Sequence, residues 1–340
     1  MNRTERAVIV WKPQPRQLEF MRRPEPEALY GGAAGGGKSD ALLIEALRQV
    51  HIPHYRALIL RKTYPQLSDL VDKSQLYYRR AFPEAQYNAT SHVWVFPSGA
   101  KIWFGSMQYT KDRTNYQGKA YDFIGFDELT HFEWDEYSYM MSRNRPTGPG
   151  TRVYMRATTN PGGIGHGWVK ARFITPAPPG TPIVETVTVR LPDGTDQQME
   201  RARVFIPSSV FDNPALLAND PGYLASLASL PEAEKQALLY GSWDSFFRAG
   251  VHRMAQRPGA LSGSALDPRH RALCHPQALA HLARIRLRLF QALFGGVVCG
   301  GRGGAAVPHQ GAVRLHRTSQ RGAAHRPGGA GQAHPGSRAE

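Results

Sequence analysis

Cysteine is nearly missing from this 340-residue chain; the two present, Cys274 and Cys299, both fall in the last quarter. The body before them therefore holds no disulfide framework and no cysteine-based zinc site. Long apolar runs are missing as well. No stretch of about 18 residues reads as a membrane span, and no charged, apolar and small-residue leader opens the chain, so the expectation is a soluble intracellular protein without a membrane partner. Lysine disappears after residue 244, and acids almost do. Up to Asp244, 28 Lys plus Arg face 25 Asp plus Glu, whereas the last 96 residues hold 14 Arg and only Asp267 and Glu340 as acids. Most of the net charge of +15 belongs to that tail, so the pI near 10.0 does not imply a basic nucleic-acid face on the body.

What the body has in abundance is glycine at one place. The run Gly31 to Ser39, GGAAGGGKS, satisfies G-x4-G-K-[ST] from Gly32. It lies between a short apolar segment, Glu27 to Tyr30, and a helix-patterned one containing Ala41, Leu42, Leu43, Ile44, Ala46, Leu47 and Val50. That context marks a phosphate-binding loop. Gly32, Gly35, Gly36 and Gly37 let successive backbone N–H groups turn inward around a polyphosphate, Lys38 reaches the outer phosphates, and the Ser39 hydroxyl ligates Mg²⁺. The helix that follows adds the positive end of its dipole.

Further along, Arg56 to Lys62 reads as a second buried strand and Gln66 to Phe82 as a helix ended by Pro83. Val93 to Phe96 and Lys101 to Phe104 form a hairpin pattern around Pro-Ser-Gly. Tyr121 to Phe126 and Arg152 to Ala157 are two more strands, with a helix at Phe132 to Met141 between them. Strands alternating with helices predict an α/β fold around a mostly parallel sheet. Residues 182 to 206 break the rhythm: alternating Val184, Thr186, Thr188 and Arg190, a Pro-Asp-Gly turn at Pro192 to Gly194, and Arg203 to Ile206 predict an appended β-ribbon.

The strand at 121–126 runs into Asp127 and Glu128. Downstream of a phosphate-binding loop, this pair supplies one carboxylate to hold Mg²⁺ and one to orient or deprotonate an attacking water. Thr158, Thr159 and Asn160 end the next strand. Their side chains suit contact with a γ-phosphate or the water, and the Asn160-Pro161 dipeptide equally suits a β-turn.

Gln17 in PQPRQLEF, the loop GGAAGGGKS, and the segments LILRKTYPQL, YQGKAYDFIGFDELTHF, TTNPGGIGHGWVKARFI and LLYGSWDSFF follow one another over residues 11 to 247. In that order they resemble the large terminase subunit of tailed bacteriophages. The resemblance implies an additional-strand, RecA-like P-loop ATPase over residues 1–245, which uses ATP and Mg²⁺ to thread double-stranded DNA into a procapsid. It further implies a portal protein and a small terminase subunit as partners, a homo-oligomeric ring when docked, and action in the cytoplasm of the bacterial host at the procapsid portal. By the same resemblance Gln17 lies near the adenine, Lys38 and Ser39 on phosphate and Mg²⁺, Asp127 on Mg²⁺, Glu128 is the catalytic base, and Thr158 to Asn160 couple hydrolysis to motion. Relatives often carry an arginine inside the loop where Ala33 and Ala34 stand here. Arg113, Arg143 and Arg145 are then the candidates for an arginine finger, reaching into a neighbouring subunit.

The tail, residues 246–340, does not continue the resemblance. Relatives proceed to a ribonuclease-H-like nuclease whose metals are held by several Asp residues, and Asp267 alone cannot build that site. The expectation is a disordered tail without nuclease activity. Its Arg, Gly, Ala, His and Pro bias fits translation in a shifted frame: one base forward, Arg253 to Pro258 permits Glu-Trp-Arg-Asn-Asp-Pro, and the codons from Ile285 permit an opening nuclease strand with an Asp under Arg286. The other reading is a basic arm that grips DNA phosphates. Two further readings of the whole chain are a superfamily 2 helicase-like remodeller and an inactive prophage remnant.

Overall fold

Two adjacent strand residues point to opposite faces of a sheet, and in the central strands β1, β6 and β7 both faces are buried. The computed structural model describes residues 9–245. Helix α1 (Pro15–Arg22) precedes β1 (Glu27–Gly32), the glycine loop and α2 (Lys38–Ala46); then come β2 (Arg56–Arg61), α3 (Tyr64–Ala81), β3 (Gln86–Asn88), β4 (Val93–Val95) and β5 (Lys101–Ser106). After a 3₁₀ segment follow β6 (Phe123–Asp127), α4 (Trp134–Met141), β7 (Tyr154–Thr159) and α5 (His166–Val169), which runs into a π-helical turn. The chain continues through β8 (Ile183–Arg190) and β9 (Asp196–Ser208), and ends in α6 (Pro214–Asn219), α7 (Tyr223–Ala228) and α8 (Glu232–Leu238).

The nine strands form one sheet in the order β3-β4-β5-β2-β6-β7-β1-β9-β8. The six strands from β5 to β9 are parallel to one another, while the outer pairings β3–β4, β4–β5 and β8–β9 are antiparallel. Strand β7 lies between β1 and β6, so an additional strand separates the one leading into the glycine loop from the one leading into the acids. Ala57 and Ile59 of β2 join the core with Phe20, Leu42 and Tyr78, whereas Leu58 and Leu60 join the other with Phe126, Tyr137 and Phe173. Burial on both faces suits the continuous apolar run Ala57 to Leu60 in a parallel strand. Helix α3 buries Leu67, Leu70, Ser74 and Tyr78, one stripe at helical spacing, and Tyr78 OH donates to the Leu43 carbonyl of α2 at 2.7 Å.

The ribbon differs from its expected form. Its second strand is no appendage: Arg203 to Ser208 of β9 pair in parallel with Glu27 to Gly32 of β1, and only the earlier part projects with β8. Val204, Phe205 and Ile206 are consecutive and buried, so that stretch fits a covered sheet, whereas Asp196 to Arg201 are exposed. Among the described residues no helix is long and apolar enough to cross a membrane. The expectations for residues 246–340, covering disorder, nuclease loss, frame error or basic arm, and the two cysteines, lie outside the described residues.

One buried carboxylate ties the ribbon to the body. Glu27, at the start of β1 and 1% exposed, accepts from Tyr137 OH (2.9 Å), Arg172 (2.8 Å) and Arg201 (3.0 Å), which come from α4, the π-helical turn and β9. Removing it leaves Arg172 half-buried without its principal counter-charge. Glu27→Ala is expected to lower the free energy of unfolding in urea by about 3–5 kcal/mol; a change within 0.5 kcal/mol, typical of surface sites, would show the network to be dispensable.

Candidate functional site

Strand β1 ends against β9, so the glycine loop begins already pinned. Ala33 N–H donates to the Ser208 carbonyl (2.8 Å) and Ala34 N–H to the Leu238 carbonyl (2.7 Å). The loop's own carbonyls are held as well: Gly35 by Asn213 Nδ2 (2.8 Å), Gly36 by Tyr30 OH (2.9 Å) and Gly37 by Gln17 Nε2 (2.7 Å). Gln17 thus sits on the loop itself, its oxygen accepting from Gln14 N–H at 2.7 Å. Gly32 has φ +129°, and a Cβ there would lie 2.6 Å from the Ser208 carbonyl oxygen. Gly37, at φ 67°, caps α2, whose first residues are Lys38 and Ser39.

Lys38 is buried, and its Nζ donates to the Ala33 carbonyl at 2.6 Å. Burial pushes the ammonium below the usual lysine range, while the charges of Glu128 and Asp127 act against that shift. Ser39 Oγ donates to both Asp127 oxygens, at 3.1 and 3.2 Å, bridging α2 and β6. Asp127 is fully buried and also accepts from Thr158 Oγ1 at 2.5 Å. A hydroxyl and a carboxylate side by side form the hard oxygen set that Mg²⁺ takes together with water and phosphate oxygens.

Glu128 follows with a left-handed backbone, φ 57° and ψ 58°, rare for a non-glycine residue. Asn160 N–H (3.3 Å) and Nδ2 (3.4 Å) face its carboxylate. Burial and the adjacent Asp127 raise its pKa above the ordinary value, and Lys38, the Asn160 N–H and Arg61 pull it down. Glu128, Asn160 and Arg61 line a cleft of about 390 Å³ that is closed on another side by Glu234 and Leu238. Asn160 Oδ1 is buried with no hydrogen-bond partner among the described residues.

The three-residue segment Thr158 to Asn160 divides its work. Thr158 serves Asp127 and Asn160 serves Glu128, while Thr159 turns back to accept from Thr130 N–H (3.1 Å) and share a hydrogen bond with Thr130 Oγ1 (2.8 Å). The three candidate finger arginines are not brought here within one chain. Arg113 pairs with Asp135 (3.5 Å), and both it and Arg143 lie over the Tyr139 ring. Arg143 and Arg145 bond through their backbones to Tyr121, ahead of β6 and about 20 Å along the strand from Asp127. Arg61, absent from the sequence-derived site, is present instead: its Nε lies 3.1 Å from Asp127 Oδ2 and its Nη2 3.9 Å from Glu128 Oε1. The available signal was a basic residue closing an apolar strand, at the end where α/β sheets gather their ligands.

The family described as terminase large subunit, T4likevirus-type, N-terminal, matches residues 29–251. Among solved structures, the large terminase of a thermophilic bacteriophage is similar with a TM-score of 0.50 at 13% identity, over 68% of this chain and 54% of that one. The ATPase domain of the Thermus phage P74-26 large terminase gives a TM-score of 0.46 at 16% identity, over 68% of this chain and 94% of that one. The chain thus spans about half the length of the longer terminase. No curated protein matches the chain.

The crowding of the loop has a measurable consequence. Gly32→Ala forces a side chain into a backbone region nearly reserved for glycine and against a main-chain oxygen, so a loss of about 1–3 kcal/mol or more in unfolding free energy is expected. Gly118→Ala, at φ +75° with nothing within 4 Å of the added carbon, is the control and should lose about 1 kcal/mol. Equal losses in chemical denaturation would show that the contact with Ser208 is unimportant.

Proposed function

The chain belongs to the phage terminase large subunit family through that family's N-terminal domain, and on this premise we propose that it is the ATP-hydrolysing motor that drives double-stranded DNA into a procapsid. The observation that carries the reading is the meeting of two sequence-distant parts: Ser39, which opens α2 beside Lys38, is hydrogen-bonded to Asp127, and Asp127 adjoins the cleft-facing Glu128. In this reading the glycine loop and the start of α2 grip a triphosphate through main-chain amides. Lys38 leaves the Ala33 carbonyl for the outer phosphates. Ser39 and Asp127 would hold Mg²⁺, which would supply positive charge to offset that of the phosphates.

Glu128 then orients a water for in-line attack and takes its proton. Asn160 keeps that carboxylate from rotating, and Thr158 keeps Asp127 beside Ser39. Because Thr158 and Asn160 neighbour each other on β7 and the turn after it, a change at either acid is felt by one short segment, which supports its role in coupling hydrolysis to motion. Gln17, fixed between Gln14 and Gly37, would sense the nucleotide by way of the loop. DNA would be held by its phosphates without base readout, so transport is sequence-tolerant and salt-sensitive. Portal protein, small terminase subunit, a ring of copies at the portal and the host cytoplasm as the setting complete the proposal, with Arg113, Arg143 and Arg145 the candidates for a finger reaching into a neighbouring copy.

The test is DNA-stimulated phosphate release by the full chain. Glu128→Gln is expected to lower the rate by about 10²–10⁴-fold while ATP binding persists, the effect of removing a positioned base. Lys38→Ala is expected to abolish ATP binding. A rate that ignores DNA, or one that survives Glu128→Gln, would remove the motor reading.

A further inference from the structure

Two carboxylates on consecutive residues, one of them wholly buried, require a cation at contact distance. Lys38 does not fill that place, because its amine is spent on the Ala33 carbonyl. Among the described residues the cation within 4 Å of both acids is Arg61, the last residue of β2. The strand register explains why. Leu60 pairs with Phe126 across β2 and β6, so the next step along each strand sets Arg61 beside Asp127.

The pairing is close but not locked. Arg61 Nη1 donates to the Gln66 carbonyl at 2.9 Å, which anchors one arm of the guanidinium. Its Nε is buried 3.1 Å from Asp127 Oδ2, yet its N–H makes no directed hydrogen bond, and Nη2 is at 3.9 Å from Glu128, beyond hydrogen-bond length. The same side chain, 17% exposed, forms part of the cleft wall with Glu128 and Asn160. A guanidinium carries a planar fork of donors that suits carboxylate and phosphate equally well. Here it has unspent donors and a polar cleft beside it.

We propose that Arg61 is an exchangeable internal counter-ion: without nucleotide it neutralises Asp127 and Glu128, and when a polyphosphate enters the cleft the guanidinium passes to the outer phosphate oxygens and leaves Asp127 open to a divalent metal. The inference rests on the nucleotide-site reading above. Its consequence is an order of loading. Metal alone must compete with a guanidinium already paired to the acid, whereas phosphate supplies that guanidinium with another partner. The acids are thus kept from collecting a metal ion before there is a nucleotide for it to serve.

The full chain and its variants are titrated with Mn²⁺ in the absence of nucleotide, following free Mn²⁺ by electron paramagnetic resonance, and separately with ATP in EDTA, by calorimetry. Arg61→Gln is expected to bind Mn²⁺ about tenfold or more tightly than the parent, since the uncompensated acids then attract it, and to bind metal-free ATP about tenfold more weakly. A purely structural role for Arg61 would weaken both. Arg61→Lys, whose single ammonium cannot span both acids, is expected to give a smaller gain in Mn²⁺ affinity and carries the test should the glutamine variant fail to fold. No gain in either variant overturns the proposal. Lys38→Ala runs alongside: if it loses ATP binding while Arg61→Gln behaves as the parent, the exchange alone is wrong, and if it binds ATP undiminished, the nucleotide-site reading falls as well.

Discussion

Two carboxylates fixed side by side at the carboxyl end of a parallel strand are the constraint around which the rest of this site is arranged. Asp127 has no contact with solvent, and the carboxylate next to it opens only onto a cleft. In a medium of low effective dielectric such a pair repels strongly unless donors surround it. The protein supplies them from four separate elements: a hydroxyl from the first turn of α2, another from the end of β7, the amide groups of Asn160, and the guanidinium at the end of β2. The placement of β7 between β1 and β6 allows this, because it brings Thr158 level with Asp127.

The glycine loop is a second rigid part. Five of its backbone groups are engaged by partners from α1, β1, β9, the segment before α6, and the end of α8. Each bond contributes about 1 kcal/mol at most, but together they leave the loop few alternative shapes. In the proposed function a phosphate would meet a surface that is already formed, with little ordering left to be done on binding. The same bonds mean that the short helices after β9, whose apolar residues Val210, Leu227 and Leu239 pack near Ala34, are part of the loop's support.

Much of this was legible in the chain because it is local. Apolar runs bounded by glycine or acids gave β1 and β6, one bounded by arginines gave β2, and the Pro-Ser-Gly turn gave the pairing of β4 with β5. The loop motif and the acid pair were readable as residue types in a fixed context, although only the folded chain brings Ser39 within 3.1 Å of Asp127. The parts that were missed depend on long-range register. Arg203 to Ile206 read as the return of a ribbon, since nothing in those four residues says that β1 will lie alongside. Arg61 read as the polar end of a strand, since its role arises from the neighbouring strand 66 residues later. Helices α6 to α8 are six or seven residues long, too short to display a periodic face.

Glu128 holds a backbone shape that glycine, asparagine and aspartate tolerate far better than glutamate does. Glycine or asparagine in its place would therefore relax the main chain while deleting the carboxylate, and aspartate would keep a carboxylate but draw it back by one methylene. The glutamate held there costs the main chain about 1–2 kcal/mol, a strain that the strand before it and the cleft around it must offset.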